Sequence, residues 1–113
     1  MRWPLPLPLP LLRPLSTMLL AIAAATPAAA QNAAALQTRA LAATCANCHG
    51  TDGRAVANAA VPGLAGMPAG YMAEQLKTFK AGTRPATVMH QLAKGYSDAQ
   101  IDQIAAYFAA QKK

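Results

Sequence analysis

The residues with the richest chemistry in this chain are two cysteines and two histidines, and three of the four fall together as Cys45-Ala46-Asn47-Cys48-His49. His90 stands apart, downstream. Two thiols three residues apart at a helix end can reach the two vinyl groups along one edge of a porphyrin. The adjacent imidazole then points under the ring and ligates iron from one face. C-x-x-C-H is the spacing of c-type heme attachment. Three rival chemistries use the same residue types. A thioredoxin-like C-x-x-C needs a βαβ context, which the pattern of this chain does not supply. A structural zinc site usually wants four Cys or His ligands, and Cys45, Cys48, His49 and His90 are all there are. A plain Cys45–Cys48 disulfide is open to an exported protein.

Other catalytic arrangements are thin. Asp52, Glu74, Asp98 and Asp102 form no evident acid/base pair. No serine or threonine is placed beside a base with an orienting acid. No catalytic residue is therefore assigned, and the chemistry expected is that of a bound cofactor.

The elements that must position the motif read as helices separated by Gly/Pro-rich loops, an all-α chain without internal repeat. The first helix is expected over Asn32 to Ala46, with Leu36, Ala40 and Ala43 on one face. An irregular stretch from His49 to Pro68 follows, broken by Gly50, Gly53, Pro62, Gly63 and Gly66. A second helix after Pro68 places Met72, Leu76 and Phe79 on one stripe and ends at Gly82. A short helix is expected from Pro85 to Gly95. The last helix has the clearest signature: Ser97 and Gln100 form a capping box. Ile101, Ile104, Ala105 and Phe108 then recur at helical spacing. Lys112 and Lys113 follow, where positive charge suits the helix dipole.

The 113 residues are enough for one small domain. Residues 1–30 carry Arg2 and Arg13 but no acid, then an apolar run from Leu15 to Ala25, then Ala28-Ala29-Ala30. That order is a secretory signal peptide with cleavage after Ala30, and it implies a periplasmic location. The apolar run is short for a membrane span, so no stable span is expected after cleavage. An uncleaved anchor is the alternative, and Met18 is an alternative start. The remaining residues 31–113 bury little apolar surface unaided. With two Phe and three Tyr in the whole chain, they call for a staple such as a cofactor. Ten Lys and Arg against four Asp and Glu give +6, and losing Arg2 and Arg13 leaves +4. The basic residues are scattered without interleaved aromatics, which argues against nucleic acid. An acidic docking face on a redox protein partner fits better.

Beyond the heme motif the resemblance is wider. Cys45 to Gly53 (CANCHGTDG), Pro62 to Gly66 (PGLAG), Tyr71 to Gly82 (YMAEQLKTFKAG) and Arg84 to Gly95 (RPATVMHQLAKG) resemble class I cytochrome c across essentially all of residues 31–113. The similarity extends to small bacterial diheme cytochrome domains and to the cytochrome subunit of flavocytochrome c sulfide dehydrogenase. The resemblance implies that N- and C-terminal helices pack together around one covalent heme c. It implies thioethers from Cys45 and Cys48 and iron ligation by His49. A proline carbonyl, here that of Pro62, would hold the other ring N–H of His49 and tune the iron. The distal ligand would be Met89, and a thioether there favours ferrous iron. Met67 and Met72 are the alternatives, with Met72 better placed for packing. His90 beside Met89 would lower the potential if it ligated instead, and is expected to face solvent.

Tyr71 and Tyr96 are candidates for hydrogen bonds to a heme propionate, and Arg54 and Arg84 for offsetting its charge. Lys77, Lys80 and Lys94 are candidates for a ring of lysines around the heme edge. With both axial sites filled, the protein passes single electrons and catalyses nothing alone. Two other functions stay open. It could be the heme subunit of a sulfide dehydrogenase that receives electrons from a flavoprotein. It could be a heme sensor whose sixth ligand dissociates to admit a small molecule.

Overall fold

The computed structural model describes the backbone of residues 13–113 and the side chains of residues 28–113. The chain divides into two units, Met1–Ala34 and Ala35–Lys113. Every regular element among the described residues is helical: α1 (Arg13–Ala43), α2 (Ala46–His49), a 3-10 turn at Thr51–Gly53, α3 (Ala69–Ala81), α4 (Met89–Leu92) running into a 3-10 turn at Ala93–Gly95, and α5 (Asp98–Ala109). The fold is all-α, as expected.

In the first unit, part of the expected signal peptide, residues 1–12, lies outside the described residues. The remainder is helix, continuous from Arg13 through Pro27 and Ala30 to Ala43. The first helix therefore begins well before the expected Asn32. Alanine has the highest helix propensity, and the alanine-rich sequence continues upstream of Asn32 without a glycine to stop it. Among the described residues no helix is long and apolar enough to cross a membrane.

In the second unit, one cluster forms the core: Ala42 from the end of α1, Met72 from α3, and Ile104, Ala105 and Phe108 from α5. The expected meeting of N- and C-terminal helices is made through Ala42, with Leu41 and Cys45 packed beside it. The buried face of α1 is not the expected one, since Leu36 is 65% exposed while Ala42 is 3% exposed. Alanines at 40, 42 and 43 leave the helix apolar on several sides, so periodicity alone does not choose among them.

α3 packs against α5 and carries α4 and the turn after it on its flank. Two of its three stripe residues are as expected, Met72 buried and Leu76 packed against the core, while Phe79 lies outside that cluster under Arg84. Gly82 closes α3 in the left-handed region at φ 76°, the usual glycine C-cap. The helix expected over Pro85 to Gly95 is shorter, opening only at Met89, after Val88 at φ −130°. Pro85 cannot donate a backbone hydrogen bond, and β-branched Thr87 and Val88 are poor helix formers.

α5 is the element built as the periodicity predicts. The Ser97 hydroxyl accepts from the Gln100 amide at 3.2 Å, and the Ser97 amide donates back to Gln100 Oε1 at 2.8 Å. Ile101, Ile104, Ala105 and Phe108 are all buried. The helix ends at Ala109 with no basic residue in its last turn. Lys112 and Lys113 thus lie beyond the turn in which the dipole acts.

Candidate functional site

The motif sits on the shortest helix of the fold. Cys45 occupies the N-cap of α2, Cys48 lies inside it and His49 ends it. Both cysteines are free thiols, Cys45 half-buried and Cys48 exposed. Burial pushes the Cys45 thiol up, and its contact with the Thr44 hydroxyl partly offsets this. Among the described residues, no three His, Cys, Asp or Glu side chains converge as a metal site would require.

His49 is 8% exposed, the one polar residue in the buried set. Its Nδ1 lies 2.7 Å from the Pro62 carbonyl oxygen. A carbonyl only accepts, so Nδ1 carries a proton, and in the neutral imidazole Nε2 then keeps its lone pair. The expected partner of His49 is therefore in place.

The backbone that brings Pro62 to His49 is closed at one carbonyl. Gly53 O accepts from Leu64 N at 2.7 Å and from Ala65 N at 3.1 Å, shutting the loop between them. Gly53 itself stands at φ 76°, and a Cβ there would lie 2.8 Å from both Ala65 N and the Phe108 ring. Gly50, directly after His49, is tighter, since a Cβ would lie 2.1 Å from the Arg54 carbonyl oxygen. Between the two glycines Asp52 also adopts positive φ. Its Oδ1 accepts from the Tyr107 hydroxyl at 2.6 Å, and Oδ2 takes Arg54 Nη1 at 3.3 Å. Those bonds, Tyr107 first, hold the Asp52 carboxyl below the usual carboxylate range. In return Asp52 pushes the Tyr107 hydroxyl up. The loop after His49 is thus bonded to α5.

On the other side of the motif, the Thr44 and Tyr96 hydroxyls pair at 2.5 Å. This joins the residue before Cys45 to the turn after α4. Tyr96, a candidate propionate partner, has its hydroxyl engaged there, while Tyr71 remains 51% exposed.

Met89 is the first residue of α4 and partly buried. Of the alternatives, Met72 is locked in the core at 3% exposed, and Met67 packs against the same cluster. The residues around Met89 fit a large flat apolar group. Val88 and Leu92 each leave 53% of their surface exposed, apolar area that a porphyrin would cover. His90 Nδ1 is buried without a hydrogen-bond partner, so His90 does not simply face solvent as expected. Thiols at Cys45 and Cys48 and a free Nε2 on His49 complete a donor set suited to heme c.

The charged candidates are mostly engaged elsewhere. Lys77 pairs with Asp102 at 2.8 Å and Lys80 with Asp98 at 2.7 Å, both across α3 and α5. Of the three lysines expected to ring the heme edge, two therefore serve helix pairing. Arg54 Nε donates to the Lys112 carbonyl at 3.1 Å. Arg84 donates to Gln75 and stacks over Phe79, its guanidinium carbon 4.6 Å from the ring centroid. The Gly53 hub, the Asp52–Tyr107 bond and the Thr44–Tyr96 pair carry no mark in sequence spacing, because their partners come from distant segments.

Comparison with known proteins identifies the family. Residues 33–112 match the family model described as Cytochrome c. The chain is 42% identical over 66 residues to a thiosulfate dehydrogenase electron acceptor of Stutzerimonas stutzeri, covering 58% of this chain and 31% of that protein. It is 43% identical over 65 residues to the cytochrome subunit of sulfide dehydrogenase of Chlorobaculum tepidum, covering 58% of this chain and 57% of the relative. With cytochrome c-554(548) of Halomonas halodenitrificans the identity is 40% over 72 residues, 61% of this chain and 86% of the relative. The matched stretch thus spans about a third to somewhat over half of the first two relatives.

Proposed function

We propose, on the premise that this chain belongs to the cytochrome c family, that it is a periplasmic single-electron carrier holding one heme c through Cys45 and Cys48. In this reading His49 and Met89 would hold the heme iron. The observation that carries it is the 2.7 Å bond from His49 Nδ1 to the Pro62 carbonyl. That bond fixes the tautomer, aims Nε2 and raises its basicity, as the outer partners of ligating histidines do. When bound, the heme supplies the one-electron couple of its iron.

The residues of this chain divide the remaining work. Cys45 and Cys48 hold the group covalently. Pro62 orients His49. Val88 and Leu92 cover it and keep water away, which with the Met89 thioether favours the ferrous state. Export would rest on residues 1–30, with cleavage after Ala30 releasing residues 31–113. N-terminal sequencing of the exported protein checks that step. Intact mass checks the heme: one heme added per chain is expected, and it should be lost in Cys48→Ser.

A second reading is favoured by one kind of relative, those named as acceptor or cytochrome subunit of sulfur-compound dehydrogenases. In that reading the chain is the heme subunit of a flavocytochrome c sulfide dehydrogenase and takes electrons from a flavoprotein. Gentle purification of the tagged protein separates the two. A co-purifying flavoprotein with heme reduced by sulfide supports the subunit. A lone polypeptide unresponsive to sulfide supports the free carrier.

A further inference from the structure

We infer that Arg84 is a positioning residue for Met89, a clamp on α3 that limits how far the thioether can leave its place. The inference rests on Met89 being the distal ligand. After the left-handed Gly82, the Thr78 carbonyl accepts from Thr83 N at 3.1 Å, Arg84 N at 3.3 Å and Thr83 Oγ1 at 3.2 Å. The chain is thereby turned back along α3. The Arg84 side chain then lies down on the helix, its Nη1 on Gln75 Oε1 and its guanidinium plane region 4.6 Å over Phe79. Four residues separate Arg84 from Met89, and Pro85 among them has a fixed φ. α4 itself has no side-chain cap at its start. The last firm anchor before Met89 is therefore Arg84.

A guanidinium suits this place because its planar fork satisfies the Gln75 oxygen while its carbon lies over the ring, which an ammonium cannot do at once. The clamp opens more often when Arg84 is truncated, so Met89 spends more time off the iron. An exogenous ligand that competes with Met89 reports this directly, because its apparent affinity rises with the population of the open state.

The test uses ferric holoprotein and imidazole as the competing ligand, followed by the sulfur-to-iron charge-transfer band. Arg84→Ala should tighten imidazole binding roughly two- to fivefold, the range expected from losing one exposed cation–ring contact. Arg84→Lys should fall between it and the native protein. Gln75→Ala added to Arg84→Ala should change nothing more, since both act through one contact. In a Met89→Ala background, Arg84→Ala should leave imidazole affinity unaltered. An unchanged affinity in Arg84→Ala, with the sulfur band present in the native protein, overturns the clamp alone. A native protein without the sulfur band overturns the Met89 ligation and the clamp together.

Discussion

The segments that carry His49 and Met89 are built to different standards of rigidity. His49 ends a helix whose following loop is fastened by Pro62, by the double acceptor at Gly53 O and by the Asp52–Tyr107 bond. Met89 opens a one-turn helix without a side-chain cap, flanked by two half-exposed apolar residues. Few buried apolar contacts and solvent-exposed backbone bonds mark the low-stability end of a fold. The difference teaches which of the two proposed ligands would be fixed and which could be exchanged. The chain holds the histidine by several independent bonds and the methionine by a tether. In the proposed ligation, exchange would belong to the methionine side.

The largest effect should come from the fixed side. His49→Ala removes both the proposed iron ligand and the Pro62 bond, and the yield of heme-bearing protein should fall at least tenfold, measured by heme absorbance per milligram, on the scale found when ligand shells are disrupted. Met89→Ala should instead give normal yield with an open sixth position, seen as rapid carbon monoxide binding to the ferrous protein. If the two variants behave alike, the contrast between the sides is broken. Rapid carbon monoxide binding by the native protein would favour the sensor reading.

A backbone test comes next. Gly50→Ala places a Cβ against the Arg54 carbonyl at positive φ, and should destabilise by about 1–3 kcal/mol in denaturant unfolding, the usual cost of such strain. Gly95→Ala meets nothing within 4 Å, and should leave the unfolding midpoint close to native.

The smallest effect sharpens the picture of the loop. The Tyr107 hydroxyl is the main reason the Asp52 carboxyl is held low. A depressed folded-state pKa gives stability that is present above the unfolded value and lost as pH falls through the folded one. The unfolding midpoint of Tyr107→Phe should therefore lie slightly below native at neutral pH. The gap should close as pH drops through and below the carboxylate range. It should also close at alkaline pH, because the raised Tyr107 value makes its contribution vanish as the phenol ionises.

What the sequence made legible follows from how local each signal is. The heme motif, the α5 capping box and the α5 stripe each lie within a few residues; the capping box and the stripe are realised in the structure, and the motif falls on α2. The buried face of α1 was not legible, because adjacent alanines make its sides alike and only packing into the cluster with Met72 and the α5 residues selects Ala42. The lysines of α3 read as a docking ring until α5 places Asp98 and Asp102 opposite them. The early start of α1 reflects alanine propensity that continues past the expected processing point and carries the helix through Pro27. Pro62 became a candidate through family resemblance, and the structure supplies its bond to His49.

The most direct test of the central claim is the intact mass and ferric absorption spectrum of the chain produced in a host that matures c-type cytochromes. The account predicts one heme mass retained per polypeptide after denaturation, together with a sulfur-to-iron band that disappears in Met89→Ala. A polypeptide of bare mass, or a heme released on denaturation, would contradict it.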